Sequence, residues 1–216
     1  MQYKLAIFDL YGTILDTLED LHAATNAALR GHAMPERTID EVRRFVGNGI
    51  RKLIERAVPA GTSEEEIVRV HESFTAYYTE HCADRTRPYD GIEELLRNVR
   101  EAGMLTAVVS NKADYAVQAL VADYFPGLFD AAAGERVGVR RKPAPDAVDA
   151  VLAALNISRE DAVYIGDSDV DIETARNASM PCLSVAWGFR PVDFLEKHGA
   201  QQIVKTPYEL LDILLK

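Results

Sequence analysis

Four short runs of apolar residues restrict the fold of this chain more than any other feature of its sequence. They span Leu5–Phe8, Leu105–Ser110, Ala162–Gly166 and Cys182–Trp187. None of them alternates apolar with polar residues, as a strand does when one face of its sheet meets water. The runs therefore predict a parallel β-sheet that is covered on both faces.

Segments with helical periodicity lie between these runs. Ile92–Gly103 has apolar residues every three or four positions and ends at a glycine, and 144–157 and 170–178 follow a similar pattern. Strands that alternate with helices are typical of a doubly wound α/β fold. The segment 200–205 is predicted to add a short edge strand, and the sequence YELLDILL a closing helix.

The stretch from Leu18 to about Asp84 breaks this alternation, because it carries helical patterns and no strand pattern. One continuous helical pattern covers 39–58, and Ser63 with Glu66 three positions later predicts the start of another helix. We therefore predict an all-helical domain inserted after the first strand. The predicted α/β core comprises residues 1–15 and 86–216, and the inserted domain comprises residues 16–85.

Composition excludes several classes of partner. The 216 residues are 48% apolar and carry a formal net charge of -10, which argues against binding to nucleic acid or an anionic membrane surface. No apolar run reaches the ~20 residues of a membrane-spanning helix. The two cysteines, Cys82 and Cys182, are far apart and lack CxxC spacing. We expect a cytoplasmic monomer or homodimer with neither nucleic acid nor membrane as a partner.

Polar residues follow three of the predicted strands, where an open parallel sheet forms its binding sites. Together with a lysine that precedes the helix leading to the third strand, they are Asp9, Tyr11, Gly12, Thr13, Ser110, Asn111, Lys112, Lys142, Asp167, Ser168, Asp169 and Asp171. All of them are expected to converge on a single edge of the sheet.

The chemistry of this set favours a phosphoryl group bound together with a metal ion. Clustered carboxylates repel one another unless a cation lies among them, and Mg²⁺ binds one or two carboxylates along with phosphate oxygens. A lysine supplies positive charge, while serine and asparagine supply hydrogen bonds to the remaining oxygens. An aspartate is also a known covalent acceptor of phosphoryl groups.

The segments FDLYGT, VVSN, RKPAPD and YIGDSDVD, in this order, resemble the four motifs of the haloacid dehalogenase-like hydrolase superfamily. The segments ILDTLEDL and VGNGIRKLIERA resemble its phosphoglycolate phosphatase branch, and the resemblance covers nearly the whole chain. It implies a Rossmann-like core, a helical cap that closes over the substrate, Mg²⁺ as cofactor and a small phosphorylated metabolite as substrate.

The resemblance also implies a role for each motif residue. Asp9 corresponds to the nucleophile, Asp167 to a direct Mg²⁺ ligand and Asp171 to its support, and the main-chain carbonyl of Tyr11 corresponds to a further ligand. In the cap, Gly47, Asn48 and Arg51 correspond to substrate contacts. The residues implied to hold the phosphate or orient the nucleophile are Gly12, Thr13, Ser110, Asn111 and Lys142.

Tyr11 departs from the pattern of the phosphatases in this superfamily. They carry a second aspartate at that position, which protonates the leaving oxygen and then activates the water that cleaves the aspartyl phosphate. A phenol has a pKa near 10, so Tyr11 suits the role of an acid but not of a base at neutral pH. Because a missing general acid/base lowers rates by about 10² to 10⁴, slowed turnover is predicted.

Two other functions stay open on the sequence. The first is a phosphate- or metabolite-binding member of the superfamily that has lost its chemistry, with the Tyr11 ring filling space under the cap. The second is a metal-independent 2-haloacid dehalogenase, because dehalogenases of this superfamily have Asp-x-Tyr-Gly-Thr in the first motif. Those dehalogenases lack the Gly-Asp-x-x-x-Asp pattern that Gly166, Asp167 and Asp171 retain here.

Overall fold

A computed structural model of the chain describes residues 2–47 and 49–216. The strands are β1 (Leu5–Phe8), β2 (Leu15–Asp16), β3 (Arg87–Pro88), β4 (Leu105–Ala113), β5 (Ala131–Glu135), β6 (Ala162–Gly166), β7 (Cys182–Val185) and β8 (Gln202–Val204). The α-helices are α1 (Leu18–Gly31), α2 (Ile39–Phe45), α3 (Ile50–Ala57), α4 (Glu64–His81), α5 (Ile92–Glu101), α6 (Asp114–Tyr124), α7 (Asp146–Leu155), α8 (Asp169–Asn177), α9 (Val192–Lys197) and α10 (Pro207–Leu215).

The chain divides into two compact units. The core unit consists of the first segment up to Leu15 together with Pro88–Lys216, and the helical unit is Asp16–Arg87. No helix within residues 2–47 and 49–216 is long and apolar enough to cross a membrane.

The core unit contains a parallel sheet with the strand order β5-β4-β1-β6-β7-β8. Strand β1 lies between β4 and β6, with Leu5 opposite both Leu105 and Ala162. The chain thus winds outward from β1 in both directions, which confirms the predicted doubly wound fold. In such a sheet, the crevice for a ligand forms where the strand order reverses, at the carboxyl end of β1.

Both faces of the sheet are covered, which explains the continuous apolar runs. Within β1, Ala6 and Phe8 belong to one buried apolar cluster, whereas Leu5 and Ile7 belong to a second cluster on the opposite face. Helix α5 contributes to the first cluster and helix α7 to the second. The edge strand β8 and the closing helix α10 lie where the sequence predicts them.

The sequence pattern does not predict strand β5, because its sequence AAAGE lacks the β-branched and aromatic residues that favour strands. Its position is set by tertiary contacts. Ala131 pairs with Ala107 of β4, and the N–H of Gly134 donates to the Asp114 carboxylate at 2.8 Å. A Cβ at Gly134 would lie 2.5 Å from the Cα of Asp114, so the close approach requires glycine.

Within the helical unit, the predicted continuous pattern over 39–58 is interrupted. It forms α2 and α3 as separate helices, because Gly47 and Gly49 have φ angles of 126° and 85°, which residues with a side chain rarely adopt. The predicted start of α4 is confirmed, since the Ser63 hydroxyl accepts a hydrogen bond from the N–H of Glu66 at 3.3 Å.

Candidate active site

Asp9 lies one residue beyond β1 and is buried. Its N–H donates to the carbonyl of Ile165 at 2.8 Å, so the pairing with β6 continues past the end of the strand. The nucleophile predicted from the sequence is therefore fixed at the carboxyl edge of the central strand, the expected location of a ligand crevice.

Three buried carboxylates meet at this edge. One carboxylate oxygen from each of Asp9, Asp167 and Asp171 lies within 4.8 Å of the others. Asp167 directly follows β6, and Asp171 is in the first turn of α8. Asp171 also stabilises the start of that helix, because its Oδ2 accepts hydrogen bonds from the Ser168 N–H at 3.2 Å and the Ser168 hydroxyl at 2.6 Å.

Lys142 joins two of these carboxylates. Its Nζ lies 2.7 Å from Asp9 Oδ1, 2.7 Å from Asp171 Oδ1 and 3.0 Å from the hydroxyl of Tyr164. The lysine is buried, and its peptide bond to Pro143 is cis. The structure thus brings the sequence-predicted lysine, nucleophile and metal-supporting acid into direct contact.

The electrostatics of the cluster follow from its burial. Burial raises the pKa of Asp9 to about 6, an effect that Lys142 opposes and Asp171 increases. Burial and the charges of Asp171 and Asp9 raise the pKa of Asp167 well above its usual range. For Lys142, burial lowers the pKa, but Asp171 and Asp9 outweigh burial and hold it well above its usual value.

This cluster has the properties of a site for a hard divalent cation. Its ligand atoms are carboxylate oxygens, and three ionised carboxylates beside one lysine leave excess negative charge in a buried space. Hydrogen bonds fix both carboxylate oxygens of Asp167. Its Oδ2 accepts a hydrogen bond from the N–H of Phe189 at 2.7 Å, and its Oδ1 accepts one from the hydroxyl of Thr13 at 3.5 Å. The residues present therefore fit a metal ion at this position.

Two glycines allow the backbone to pass close to Asp167. Gly12 has a φ of 84°, and a Cβ there would lie 2.5 Å from Asp167 Oδ2. A Cβ at Gly188 would lie 2.3 Å from the Cβ of Asp167 and 2.4 Å from the carbonyl oxygen of Gly12. The hydrophobic pattern does not reveal the role of Gly188, whose only signal in the sequence is a glycine directly after the CLSVAW run.

The ring of Tyr11 packs against the apolar cluster that contains Phe8. The ammonium of Lys112 lies 5.0 Å from the centroid of that ring, within the range of a cation–π contact. Tyr11 is only half-buried, and its ring contributes to the packing of the apolar cluster.

Among the residues predicted to hold a phosphate, Thr13 lies in the segment between β1 and β2, and Ser110 and Asn111 lie in the last four residues of β4. Thr13 and Ser110 are buried, and the Ser110 hydroxyl accepts the N–H of Lys112 at 3.3 Å. Both polar atoms of the Asn111 side chain bond to the main chain of Lys142, a contact that the sequence does not predict. Its predicted contact with a phosphate stays a prediction.

The predicted substrate contacts of the cap belong to the helical unit. Arg51 forms ion pairs with Glu55 at 2.9 Å and with Glu64 at 2.5 Å. Gly47 lies in the interruption between α2 and α3. Asn48 lies outside the residues that the structure describes.

Residues 6–185 match the family described as haloacid dehalogenase-like hydrolase. The chain belongs to this family. It is 34% identical to an N-acetylmuramic acid 6-phosphate phosphatase of Pseudomonas aeruginosa, over 99% of this chain and 96% of that protein. It is also 35% identical to a phosphoglycolate phosphatase of Cereibacter sphaeroides, over 89% of this chain and 90% of that protein.

A solved structure of the same family supports the assignment. It is a candidate phosphoglycolate phosphatase from Lactobacillus delbrueckii subsp. bulgaricus, which superimposes with a TM-score of 0.94 at 42% identity, covering 100% of this chain and 99% of that chain. The predicted resemblance is thus confirmed, and the chain is a hydrolase of the phosphatase type.

Proposed function

We propose that this hydrolase is a Mg²⁺-dependent phosphomonoesterase that acts on a small phosphorylated metabolite through an aspartyl phosphate on Asp9. The observation that carries the proposal is the environment of Asp9. This carboxylate is buried at the carboxyl end of the central strand, 2.7 Å from the ammonium of Lys142 and within a cluster of three acids.

In the proposed reaction, a carboxylate oxygen of Asp9 attacks the phosphorus atom, and the bond from phosphorus to the leaving oxygen breaks. Lys142 keeps Asp9 ionised and oriented by its hydrogen bond to Oδ1. The hydroxyls of Thr13 and Ser110 would donate hydrogen bonds to phosphate oxygens. Water then attacks the aspartyl phosphate, which releases inorganic phosphate and restores the carboxylate.

The acids of the cluster would hold Mg²⁺ in this proposal. Asp9 and Asp167 would be direct ligands together with the main-chain carbonyl of Tyr11, and Asp171 would support them. When bound, Mg²⁺ neutralises negative charge on the phosphate and on the carboxylates that surround it. Burial, and after it the neighbouring carboxylates, raise the pKa values of Asp9 and Asp167, and a cation bound among these acids would oppose both effects.

Tyr11 would affect the two half-reactions unequally. Its phenol can protonate the leaving oxygen, which allows the aspartyl phosphate to form. The second half-reaction needs a base for the attacking water, and a phenol with a pKa near 10 is a poor one at neutral pH. We therefore expect slow release of phosphate and accumulation of phosphorylated enzyme.

The substrate class is proposed from the relatives and the fold. The two curated relatives are named for phosphoglycolate and N-acetylmuramic acid 6-phosphate, so we propose a small phosphate ester of a carboxylic acid as substrate. We also propose that residues 16–85 form a cap domain, with Asn48 and Arg51 contributing substrate contacts.

The test is an assay of phosphate release from phosphoglycolate and from N-acetylmuramic acid 6-phosphate, with Mg²⁺ and with a chelator. The native protein is compared with Asp9→Asn, which removes the nucleophile, and with Tyr11→Asp, which supplies the acid/base. We expect Mg²⁺-dependent release that Asp9→Asn abolishes. If neither the native protein nor Tyr11→Asp releases phosphate from any ester, the proposed function is wrong.

Tyr11 also supports a second candidate, a family member that binds a phosphorylated metabolite without turning it over. This candidate predicts Mg²⁺-dependent binding of ligand and no release above that of Asp9→Asn. The dehalogenase alternative has less support, because the acid cluster is intact and the curated relatives are phosphatases. Halide release from a 2-haloacid in the presence of a chelator would favour it.

A further inference from the structure

The ammonium of Lys142 is enclosed by hydrogen-bond acceptors. A protonated lysine has three N–H donors. Among the described residues, three side-chain oxygens lie within hydrogen-bond distance of Nζ: Asp9 Oδ1 at 2.7 Å, Asp171 Oδ1 at 2.7 Å and the Tyr164 hydroxyl at 3.0 Å. Each donor therefore has one acceptor, which fixes the direction of the group.

Tyr164 supplies the one neutral acceptor of this set. It lies in β6 and is fully buried, with a relative exposure of 0%. Its own proton can be donated to Asp171 Oδ1 at 3.3 Å or to the carbonyl of Val109 at 3.5 Å, so its oxygen remains an acceptor for the lysine. Without this hydroxyl, the two carboxylates would accept only two of the three N–H donors of the buried ammonium. The unsatisfied third donor would lower the stability of the folded protein.

Asn111 holds the other end of the lysine. Its Oδ1 accepts the N–H of Lys142 at 2.8 Å, and its Nδ2 donates to the carbonyl of Lys142 at 3.0 Å. These two hydrogen bonds join the end of β4 to a segment 31 residues later in the chain. Because both polar atoms of one carboxamide bond to one residue, they fix the backbone from which the lysine side chain extends.

We infer that Asn111 and Tyr164 are positioning residues for Lys142, one fixing its main chain and the other its ammonium, so that the positive charge stays between Asp9 and Asp171. The inference rests on the proposed function, in which Lys142 orients the nucleophile. It also changes the role of Asn111, whose side chain then acts through Lys142 and not by direct contact with a phosphate.

The first test follows the ammonium itself by ¹H–¹⁵N NMR, with Lys142→Ala to assign its signal. Tyr164→Phe removes only a hydroxyl, and Asn111→Ala removes the carboxamide. We expect Tyr164→Phe to accelerate hydrogen exchange of the ammonium by about tenfold, because the ammonium loses one hydrogen bond. Asn111→Ala should accelerate it to a similar extent, because the backbone that carries the lysine side chain is no longer fixed. The matched controls, exposed Tyr115→Phe and half-buried Asn98→Ala, should leave the exchange rate unchanged. Unchanged exchange in both test variants would overturn the inference.

The second test separates positioning from a general structural role by kinetics with Mg²⁺ and phosphoglycolate. Each variant should lower kcat by about 10- to 100-fold through misplacement of the ammonium, while KM changes little. In a Lys142→Ala background, the same substitutions should cause no further loss, because they act through that lysine. A further loss there contradicts the inference. If native protein and Tyr11→Asp both lack turnover, the proposed function fails, whereas the NMR test still decides the positioning.

Discussion

At the scale of single residues, Tyr11 separates this chain from the phosphatases that it otherwise resembles. Its ring packs against the apolar core and lies 5.0 Å from the ammonium of Lys112. The rest of the proposed machinery is present, since Asp9, Lys142 and the two acids after β6 converge as the sequence predicts. In the proposed function, these residues carry out phosphoryl transfer, and Tyr11 limits the proton transfers.

The substitution Tyr11→Asp should raise the steady-state rate of phosphate release by about 10² to 10⁴, because it restores a general acid/base beside the nucleophile. Tyr11→Asn is the matched control, because asparagine has the size of aspartate but cannot transfer the proton. Rates are measured with saturating Mg²⁺ and phosphoglycolate. Equal rates for the two variants would show that proton transfer at this position does not limit turnover.

Asp9 makes the stability of the metal-free protein depend on pH. Its pKa in the folded protein is about 6, above the ordinary value of 3.8, so the folded state binds this proton more tightly than the unfolded state. The resulting stabilisation is present at low pH and is lost as the pH rises through about 6. Asp9→Asn lacks this titration.

We compare the free energy of unfolding of the native protein with that of Asp9→Asn. As the pH rises from about 5 to 7.5, the native value should fall by about 1 kcal/mol relative to the value of the variant. Urea unfolding in a chelator measures this difference. A difference between the two proteins that stays constant with pH, or grows in favour of the native protein, would contradict the raised pKa.

At the scale of secondary structure elements, the sequence predicts strands and helices that have a clear hydrophobic periodicity. It does not predict elements whose position depends on tertiary contacts. The buried strands β1 and β6 and the amphipathic helix α5 follow directly from hydrophobic periodicity. Strand β5 does not, because alanine and glycine carry no strand signal and its place depends on pairing with β4. The separation of α2 from α3 depends on two glycines inside one helical pattern.

The turn after β7 is another element that periodicity does not reveal. Gly188 lies against both Asp167 and the backbone of Gly12, so its requirement for glycine arises from residues distant in sequence. The N–H of the next residue, Phe189, donates to Asp167 at 2.7 Å. This turn therefore orients a proposed metal ligand through its main chain.

Gly188→Ala should weaken Mg²⁺ binding by at least about tenfold and destabilise the protein by about 1–3 kcal/mol, because the added methyl group would overlap Asp167. Gly31→Ala is the matched control, since a Cβ there meets nothing within 4 Å. Calorimetric titration with Mg²⁺ and thermal unfolding measure the two effects. Normal affinity in a folded Gly188→Ala protein would contradict this role for the turn.

At the scale of the whole molecule, the topology of the core unit explains why so much of the site is predictable. Residues 9, 110 and 167 are far apart in sequence. Because β1, β4 and β6 are parallel, the carboxyl ends of these strands bring the three residues to the same edge of the sheet. Which side chains then bond to one another is not readable from sequence, as the pairing of Asn111 with the main chain of Lys142 shows. Such contacts depend on loop geometry that no local pattern encodes.

A divalent cation should stabilise the whole core unit, because it binds carboxylates that repel one another only in the folded state. We expect Mg²⁺ at 100 times its Kd to raise the free energy of unfolding by about 2.7 kcal/mol, with a corresponding rise in Tm. Asp167→Asn should remove most of this gain, whereas substitution of the surface acid Glu65 by Gln should preserve it. A Tm that does not respond to Mg²⁺ would contradict the proposed metal site.

The central claim is that Asp9 accepts the phosphoryl group. The most direct measurement is mass spectrometry of proteolytic peptides from enzyme quenched in acid during turnover of phosphoglycolate with Mg²⁺. The account predicts one phosphoryl group on the peptide that contains Asp9, labile to hydroxylamine and absent from Asp9→Asn. Phosphate release without any phosphorylated peptide in the native protein, or a phosphoryl group on another residue, would contradict it.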